Sequence, residues 1–398
     1  MFAPEVEWLT SIVRWIHVVT GIVWIGTSFH LFSWEYKFYR GKGIRPEVAG
    51  SLWMIQGGDF YHIERLKKEP GHFPEQLVWF KYEAYFTWLS GFALLVFAYH
   101  INARGMLVDP SVSGISPQLA VAVSLASMPL CWLAYQGYCR TRLAGNLPLS
   151  AAVGFVAISL LAYLFSILFG GRAAFLHLGI VMGTIMSANV FFVIIPWHKA
   201  LIRAIKAKQP LDALYARHPG VRSDHNHYLA LPVVFVMLSS HLSIAHTHPL
   251  GWLVISLCIL AAGLVKHAHS LLQLKRLSAG AGFIAAGLVL FVAAMAITRT
   301  DSMDSKCVDP VAYTEVREIL DAHCTRCHSA TPADPAFVLP PNNVVFDSAE
   351  EIDAMRERIL YRAVTTRTMP PLNTTHMTNE DRALLGCWSQ RRQTVSSP

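Results

Sequence analysis

The chain has 398 residues, of which 53% are hydrophobic and only 15% charged, and its mean hydropathy is +0.38. A soluble domain carries about 25% charged residues, so this composition points to a chain that crosses a membrane several times. The formal charge of +7 lies scattered between apolar segments, which argues against a nucleic-acid binder, and seven cysteines are too few for a disulfide scaffold.

A helix needs roughly 17–25 apolar residues to cross a bilayer. Eight runs fit: about 9–34, 78–100, 118–138, 151–169, 173–197, 229–246, 250–267 and 279–298. The sixth and seventh are the shortest, separated only by the turn at Thr247-His248-Pro249. Glu5 and Glu7 open the chain and no small-residue cleavage site follows, so no cleavable leader is expected. The loops after odd-numbered spans carry eighteen Lys and Arg residues, Lys37, Arg45, Arg142, Lys199, Arg222, Lys266 and Lys275 among them. The alternate loops carry only Arg104 and Arg172. The positive-inside rule therefore puts the basic loops in the cytoplasm and both termini outside. In a Gram-negative bacterium that is a multi-pass inner-membrane protein with periplasmic termini.

Several ionisable groups fall inside these spans, where they are costly and usually serve function. His17 (span one), His177 (span five) and His241 (span six) belong to the periplasmic half, with His246 and His248 at the same surface. His30, His198, His267 and His269 lie toward the cytoplasm, where interfacial solvation is the simpler account. A pair such as His17 with His177 or His241 could hold a b haem or a copper ion. The alternative is a set of hydrogen-bonded histidines lining a polar cavity. Asn189 in span five is a buried amide needing partners, and His225-Asn226-His227-Tyr228 leads into span six.

Composition changes near Thr300. Residues 1–299 form the membrane domain, 300–306 a polar linker, and 307–398 a small helical domain with a first helix over 311–323. Ser348-Ala349-Glu350-Glu351 is a capping box opening a second helix, and Thr378-Asn379-Glu380-Asp381 opens a last one running through Arg391. At the end of the first helix stands Cys324-Thr325-Arg326-Cys327-His328. C-x-x-C-H is the covalent attachment site of a c-type haem; the competing readings are a chance match or a redox C-x-x-C. Met369, followed by Pro370-Pro371, is the expected sixth iron ligand, ahead of Met377 and Met355. A thioether there raises the potential and closes the iron to substrates. His323 reads as surface. Cys307 and Cys387 flank the domain and could form a disulfide in an oxidising compartment, or stand as two thiols. The pattern of helices, loops and haem motif resembles a class I cytochrome c.

Taken together, Trp15-Ile16-His17 with Trp24-Ile25-Gly26, Trp79-Phe80-Lys81-Tyr82-Glu83-Ala84-Tyr85, residues 183–196, residues 225–232 through His241, and the haem motif resemble the integral-membrane, cytochrome-c-linked urate oxidases (urate hydroxylases). The resemblance runs through nearly the whole chain; His227 stands where that family is expected to have an uncharged polar residue. It implies an all-α fold of about eight membrane helices followed by a class I cytochrome c domain. The implied activity is oxidation of urate to 5-hydroxyisourate. Electrons would pass through haem c to a soluble cytochrome c or respiratory oxidase, without hydrogen peroxide. Urate is a planar purine anion, best held by an aromatic face, amides and a cation or histidine. Its oxidation needs a proton acceptor, for which a neutral histidine is suited at neutral pH. The urate site is expected in the membrane half, with His17, His177, Asn189, Asn226 and His241 as candidates. Two other readings stay open: a membrane electron-transfer subunit serving a separate dehydrogenase or oxidase, and a purine transporter or sensor fused to a redox reporter.

Overall fold

The long apolar runs fold as helices: α1 (Pro4–Lys37), α2 (Tyr82–Leu95), α3 (Pro117–Tyr138), α4 (Leu147–Ser166), α5 (Gly171–Asn189), α6 (Ile195–Lys206), α7 (Gly220–Leu238), α8 (Gly251–Gln273) and α9 (Leu277–Ile297). The computed structural model describes residues 4–67, 76–110, 112–210, 219–298, 307, 311–334 and 337–390. Local chemistry sets the helix starts. The Ser116 and Asn146 side chains accept the N–H groups of Leu119 and Leu149. A proline follows each cap in the first turn, where its missing N–H costs nothing.

Six helical stretches are long and apolar enough to cross a membrane: Trp8–Lys37, Pro117–Tyr138, Leu147–Ser166, Gly171–Lys206, Gly251–Gln273 and Leu277–Ile297. This is two fewer than the eight spans expected. The other two regions are helical but more polar. α2, prolonged by a π turn at Val96–His100, is diluted by Tyr82, Glu83, Tyr85 and Trp88. α7 opens on Arg222, Asp224, His225, Asn226 and His227, then breaks after Leu238 into the short turns Ser239–His241 and Ser243–His246. Both nevertheless pack within the bundle, α2 against α1 and α5, and α7 against α5 and α8.

α5 and α6 are one continuous rod interrupted by a π turn at Val190–Ile194, directly after Asn189. Pro196 sits in the first turn of α6; it lacks an N–H and its ring crowds the preceding turn, which widens the helix there. The first turns of α5 and α8 lie at the same end of the bundle. Gly171 is packed on the His246 carbonyl and Gly251 on the Ala245 carbonyl, with no room for a side chain at either.

The all-α expectation needs one correction. Residues 48–66 form an antiparallel hairpin of β1 (Val48–Gln56) and β2 (Asp59–Leu66), with Gln56 paired to Asp59 across the two-residue turn Gly57-Gly58. Both glycines have positive φ, as the tight hairpin turn requires. Trp53 stacks on His62 across the strands at 4.2 Å, and Arg65 reaches Glu35 of α1 at 2.7 Å.

The C-terminal unit comprises α10 (Tyr313–His323), α11 (Ala349–Ala354) and α12 (Asn379–Gln390). They close on a separate core of Val316, Leu320, Ile352, Leu385 and Trp388. Both expected capping boxes are present. Ser348 and Glu351 exchange hydrogen bonds at the start of α11, and Thr378 and Asp381 do so at the start of α12. The 300–306 linker and the end of the last helix at Arg391 lie outside the described residues. Cys307 and Cys387 are joined in a disulfide, with their Cα atoms 5.3 Å apart. The unit rests on the end of the bundle where α5 begins. Leu372 lies against Gly170, where a Cβ would collide with it, and the turn at Pro371–Asn373 touches the short helix Ala103–Met106.

The disulfide closes a separation of 80 residues, and a loop of that size constrains the unfolded chain by about 4 kcal/mol in the entropic account. Cys387→Ser should lower the stability of the C-terminal unit by about 2–4 kcal/mol, read as a fall in its thermal midpoint. Mass spectrometry after alkylation should find two more reactive thiols in the reduced protein than in the oxidised one.

Candidate functional site

Chemistry-bearing residues gather in four places. Three are in the bundle and differ in how much hydrogen-bonding capacity their neighbours have used up.

Near the end where the C-terminal unit rests, His177 is fully buried. Its Nδ1 donates to the Ala173 carbonyl at 2.7 Å and its Nε2 bonds Ser124 Oγ at 2.7 Å. Ser124 Oγ also meets His100 Nε2 at 2.9 Å. Both nitrogens of His177 are thus engaged within the protein. His17 belongs to a different contact, between α1 and α2. Its Nδ1 lies 2.9 Å from the Thr87 carbonyl and 3.2 Å from Ser90 Oγ. Its ring lies against Gly91, where a Cβ would stand 2.8 Å from the His17 Cε1. His241 is exposed, in the turn that follows α7. The three histidines therefore do not share a site, and among the described residues no three His, Cys, Asp or Glu side chains converge to hold a metal ion.

Asn189 lies twelve residues past His177 on α5, about 18 Å along the axis. The structure brings it together with Asn226. Asn189 Nδ2 donates to Asn226 Oδ1 at 2.9 Å and to the Tyr135 hydroxyl at 3.1 Å, and its Oδ1 accepts from Arg222 Nη1 at 3.2 Å. Asn226 Nδ2 donates to the Met186 carbonyl at 3.0 Å, Arg222 Nη2 donates to Gln136 Oε1, and Tyr135 meets His225 Nδ1 at 2.9 Å. Arg222 is a buried cation held, among the described residues, by neutral acceptors and the Tyr135 ring face. It lies in α7 and not in the basic loop expected before span six. Asn189 and Asn226 were legible as buried amides; their partners Arg222, Tyr135 and Gln136 were not.

A third group surrounds Phe29 of α1. Lys266 of α8, also counted as a loop residue, has no exposed surface. Its Nζ donates to Ser270 Oγ at 2.9 Å and lies 5.5 Å from the Phe29 ring centre and 5.4 Å from that of Tyr228. His227 stacks on Phe32 with ring centres 3.7 Å apart, and neither of its buried nitrogens has a hydrogen-bond partner. His269 Nδ1 is also buried without one. An apolar groove of about 470 Å³ lies elsewhere, lined by Trp88, Phe92, Met128, Trp132, Thr184 and Phe192. It contains no charged side chain and so has nothing to neutralise an anion.

In the C-terminal unit, Cys324 and Cys327 are free thiols at the end of α10. Burial pushes the Cys324 thiol up to about 12, and the neighbouring Cys327 adds to the shift. His328 Nδ1 donates to the Val344 carbonyl at 3.0 Å. That bond fixes the ring and leaves Nε2 available, as a metal-ligating histidine requires. These residues fit the covalent c haem expected from the motif. Met369 is half-buried in the loop before α12, while Met377 is packed in the core. Buried Arg382 ties the Met369 loop down: it donates to the carbonyls of Met369, at 2.9 Å, and Ala363, and to Asn373 Oδ1 at 3.1 Å. His323, read as surface, is instead mostly buried beside Thr375 and Asp381.

A family model described as urate oxidase N-terminal matches residues 3–298. No curated protein and no solved structure matches the chain.

Asn189→Leu should leave Arg222, Asn226 and the Tyr135 hydroxyl each short of a partner inside the bundle. A buried cation that loses an acceptor is costly, so the expected loss is about 3 kcal/mol or more. A thermal-unfolding assay in detergent measures it, and Asn189→Asp should do less damage because it still accepts from Arg222.

Proposed function

The chain belongs to the urate oxidase N-terminal family, and from that premise we propose that it is a membrane enzyme that oxidises urate to 5-hydroxyisourate. In this reading the electrons leave through a c haem in the C-terminal cytochrome c domain to a soluble cytochrome c or respiratory oxidase, and no hydrogen peroxide forms. The protein sits in a bacterial inner membrane with both termini in the periplasm. The observation that carries the reading is a C-x-x-C-H motif on a helical unit seated against a bundle whose sequence is that of the family.

The reaction takes urate and water to 5-hydroxyisourate with release of two protons and two electrons. Cys324, Cys327, His328 and Met369 are the residues that would hold a c haem, and when bound it would supply a one-electron relay closed to substrate. Binding and proton handling then fall to the membrane half. Among the candidates, His17 and His241 are the proton acceptors by chemistry, since His177 has both nitrogens engaged. Asn189, its hydrogen bonds spent on Arg222, Tyr135 and Asn226, positions Asn226 as the amide able to orient a purine. The Asn189–Asn226 contact supports treating those two as a unit. His177 has both nitrogens engaged, and His17 and His241 share no contact with it, so no step is routed through a second haem or a copper ion. Around the haem motif, the Val344 carbonyl orients His328 and Arg382 holds the Met369 loop.

The decisive experiment is anaerobic. Urate added to the purified oxidised protein should raise the reduced-haem α band, and Cys324→Ser or His328→Ala should abolish the response. Reduction by a quinol but not by urate would overturn the proposal in favour of an electron-transfer subunit. Met369→Ala should lower the reduction potential by about 0.1 V or more, a fraction of the ~0.8 V range that axial ligands command. Potentiometric titration of the α band measures it.

A further inference from the structure

Lys266 presents a physical problem that the activity above does not solve. Its ammonium has three donors, one of which reaches Ser270 Oγ, and among the described residues no carboxylate stands within ion-pair distance of it. An ionised group taken out of water needs a partner charge or full hydrogen bonding to be tolerable. Snorkelling is the usual escape for a lysine near a helix end, but a side chain with no exposed surface has not taken it. The surroundings deepen the imbalance. His227, 4% exposed, has both ring nitrogens unpartnered, and His269 Nδ1 is unpartnered too. Phe29 connects all three groups: its ring centre lies 5.5 Å from Lys266 Nζ, 5.4 Å from His227 and 5.6 Å from His269.

Unspent donors, one positive charge and several aromatic faces are complementary to a planar aromatic anion. Phe29, Phe32 and His269 are only half-buried, so the cluster reaches the surface of the bundle while the cation stays inside. Its position is informative as well. Lys266 lies fifteen residues along α8 from Gly251, about 22 Å from the end where the C-terminal unit rests. Under the charge-based orientation this is the cytoplasmic end.

We propose that Lys266, His227 and the rings of Phe29 and Phe32 form the binding site that captures the purine monoanion, from the cytoplasmic side of the membrane. This rests on urate being the substrate and names the side from which it enters. Lys266 neutralises the anion, the unpartnered imidazole nitrogens bond its polar edge, and Phe29 and Phe32 pack on its face. Asn189 and His177, whose hydrogen bonds are spent within the protein, play no direct part in this capture.

The test is equilibrium binding of radiolabelled urate to the full-length protein in lipid nanodiscs, with the haem reduced beforehand so that no turnover occurs. Lys266→Met should weaken urate binding by about tenfold or more, whereas Lys266→Arg should stay within about threefold. His227→Phe, which keeps the stack but removes the nitrogens, should also weaken binding. Replacing a buried cation that has no opposite charge beside it among the described residues with an apolar side chain of similar length should leave the thermal midpoint unchanged or raise it. Affinity for hypoxanthine, a purine of similar shape that is neutral at pH 7, should be the same in wild type and Lys266→Met. A Lys266→Met protein that binds urate like wild type overturns the proposal. So does one whose lost binding comes with a lowered thermal midpoint and is not restored by Lys266→Arg. If urate reduces the haem yet Lys266→Met binds normally, the capture site fails and the oxidase reading stands. If Lys266-dependent binding is found without haem reduction, the site stands and the oxidase reading fails.

Discussion

Arg222 is held inside the helix bundle by the oxygens of Asn189 and Gln136 and by the face of Tyr135. The cost of burying that cation determines how α3, α5 and α7 meet. Each helix supplies something the guanidinium needs, so none can rotate without leaving a donor unsatisfied. Asn189 is the hinge of the arrangement: it accepts from Arg222 and donates both its N–H groups, to Asn226 and Tyr135. In an apolar environment such a network is close to all-or-none, because each lost partner exposes the desolvation cost of another group. The π turn immediately after Asn189 belongs to the same solution, since Pro196 locally widens the α5–α6 rod just beyond the point where the network must align.

Much of this was legible in the sequence, and the reasons for the rest are physical. Long apolar runs mark helices whatever their partners, so most of the bundle could be located from hydropathy. α2 and α7 were legible as helices too, but counting them as ordinary spans overlooked what polar and aromatic residues do inside a bundle. Some of them, Arg222 and Asn226 among them, face neighbouring helices, and all bring down the hydropathy of the segment that contains them. The same effect hid Lys266 and Arg222: a cation beside an apolar run reads as the start of a loop, and only packing reveals that the helix continues past it. The hairpin has a local signal in Gly57-Gly58, the two positive-φ residues that turn the chain between its strands. His17, His177 and Asn189 were picked out as polar groups within spans. What a single sequence cannot display is which of them have already spent their hydrogen bonds on one another, because that depends on helix rotation and depth.

The C-terminal unit follows a different logic. It is too small to rely on its core alone, and polar ties and a covalent one supplement it. Arg382 gathers three separate loop acceptors around itself, Glu351 and Asp381 close the starts of α11 and α12, and the Cys307–Cys387 disulfide joins the unit's entry to its last helix. These ties converge on the segments flanking the C-x-x-C-H motif and Met369. A group bound there would be held by a frame that loses little entropy on receiving it. Where electron transfer is the task, rigidity of this kind is useful, because a fixed ligand set keeps reorganisation small.

The two ends of the bundle then divide the work. At one end Leu372 of the C-terminal unit meets Gly170, and the His100–Ser124–His177 chain lies close by, with its hydrogen bonds satisfied. At the other end the network around Arg222 is closed, whereas the cluster around Lys266 keeps donors unspent beside a buried cation. Satisfied polar groups stabilise a bundle; unsatisfied ones destabilise it unless something else binds them. A sequence that retains a buried lysine with no carboxylate in reach among the described residues, beside three unpartnered imidazole nitrogens of His227 and His269, therefore carries a cost in the empty protein. An anion of matching shape is the simplest partner that removes it. If that anion is the purine, its capture and the exit of its electrons lie at opposite ends of α8, and the two can be measured apart.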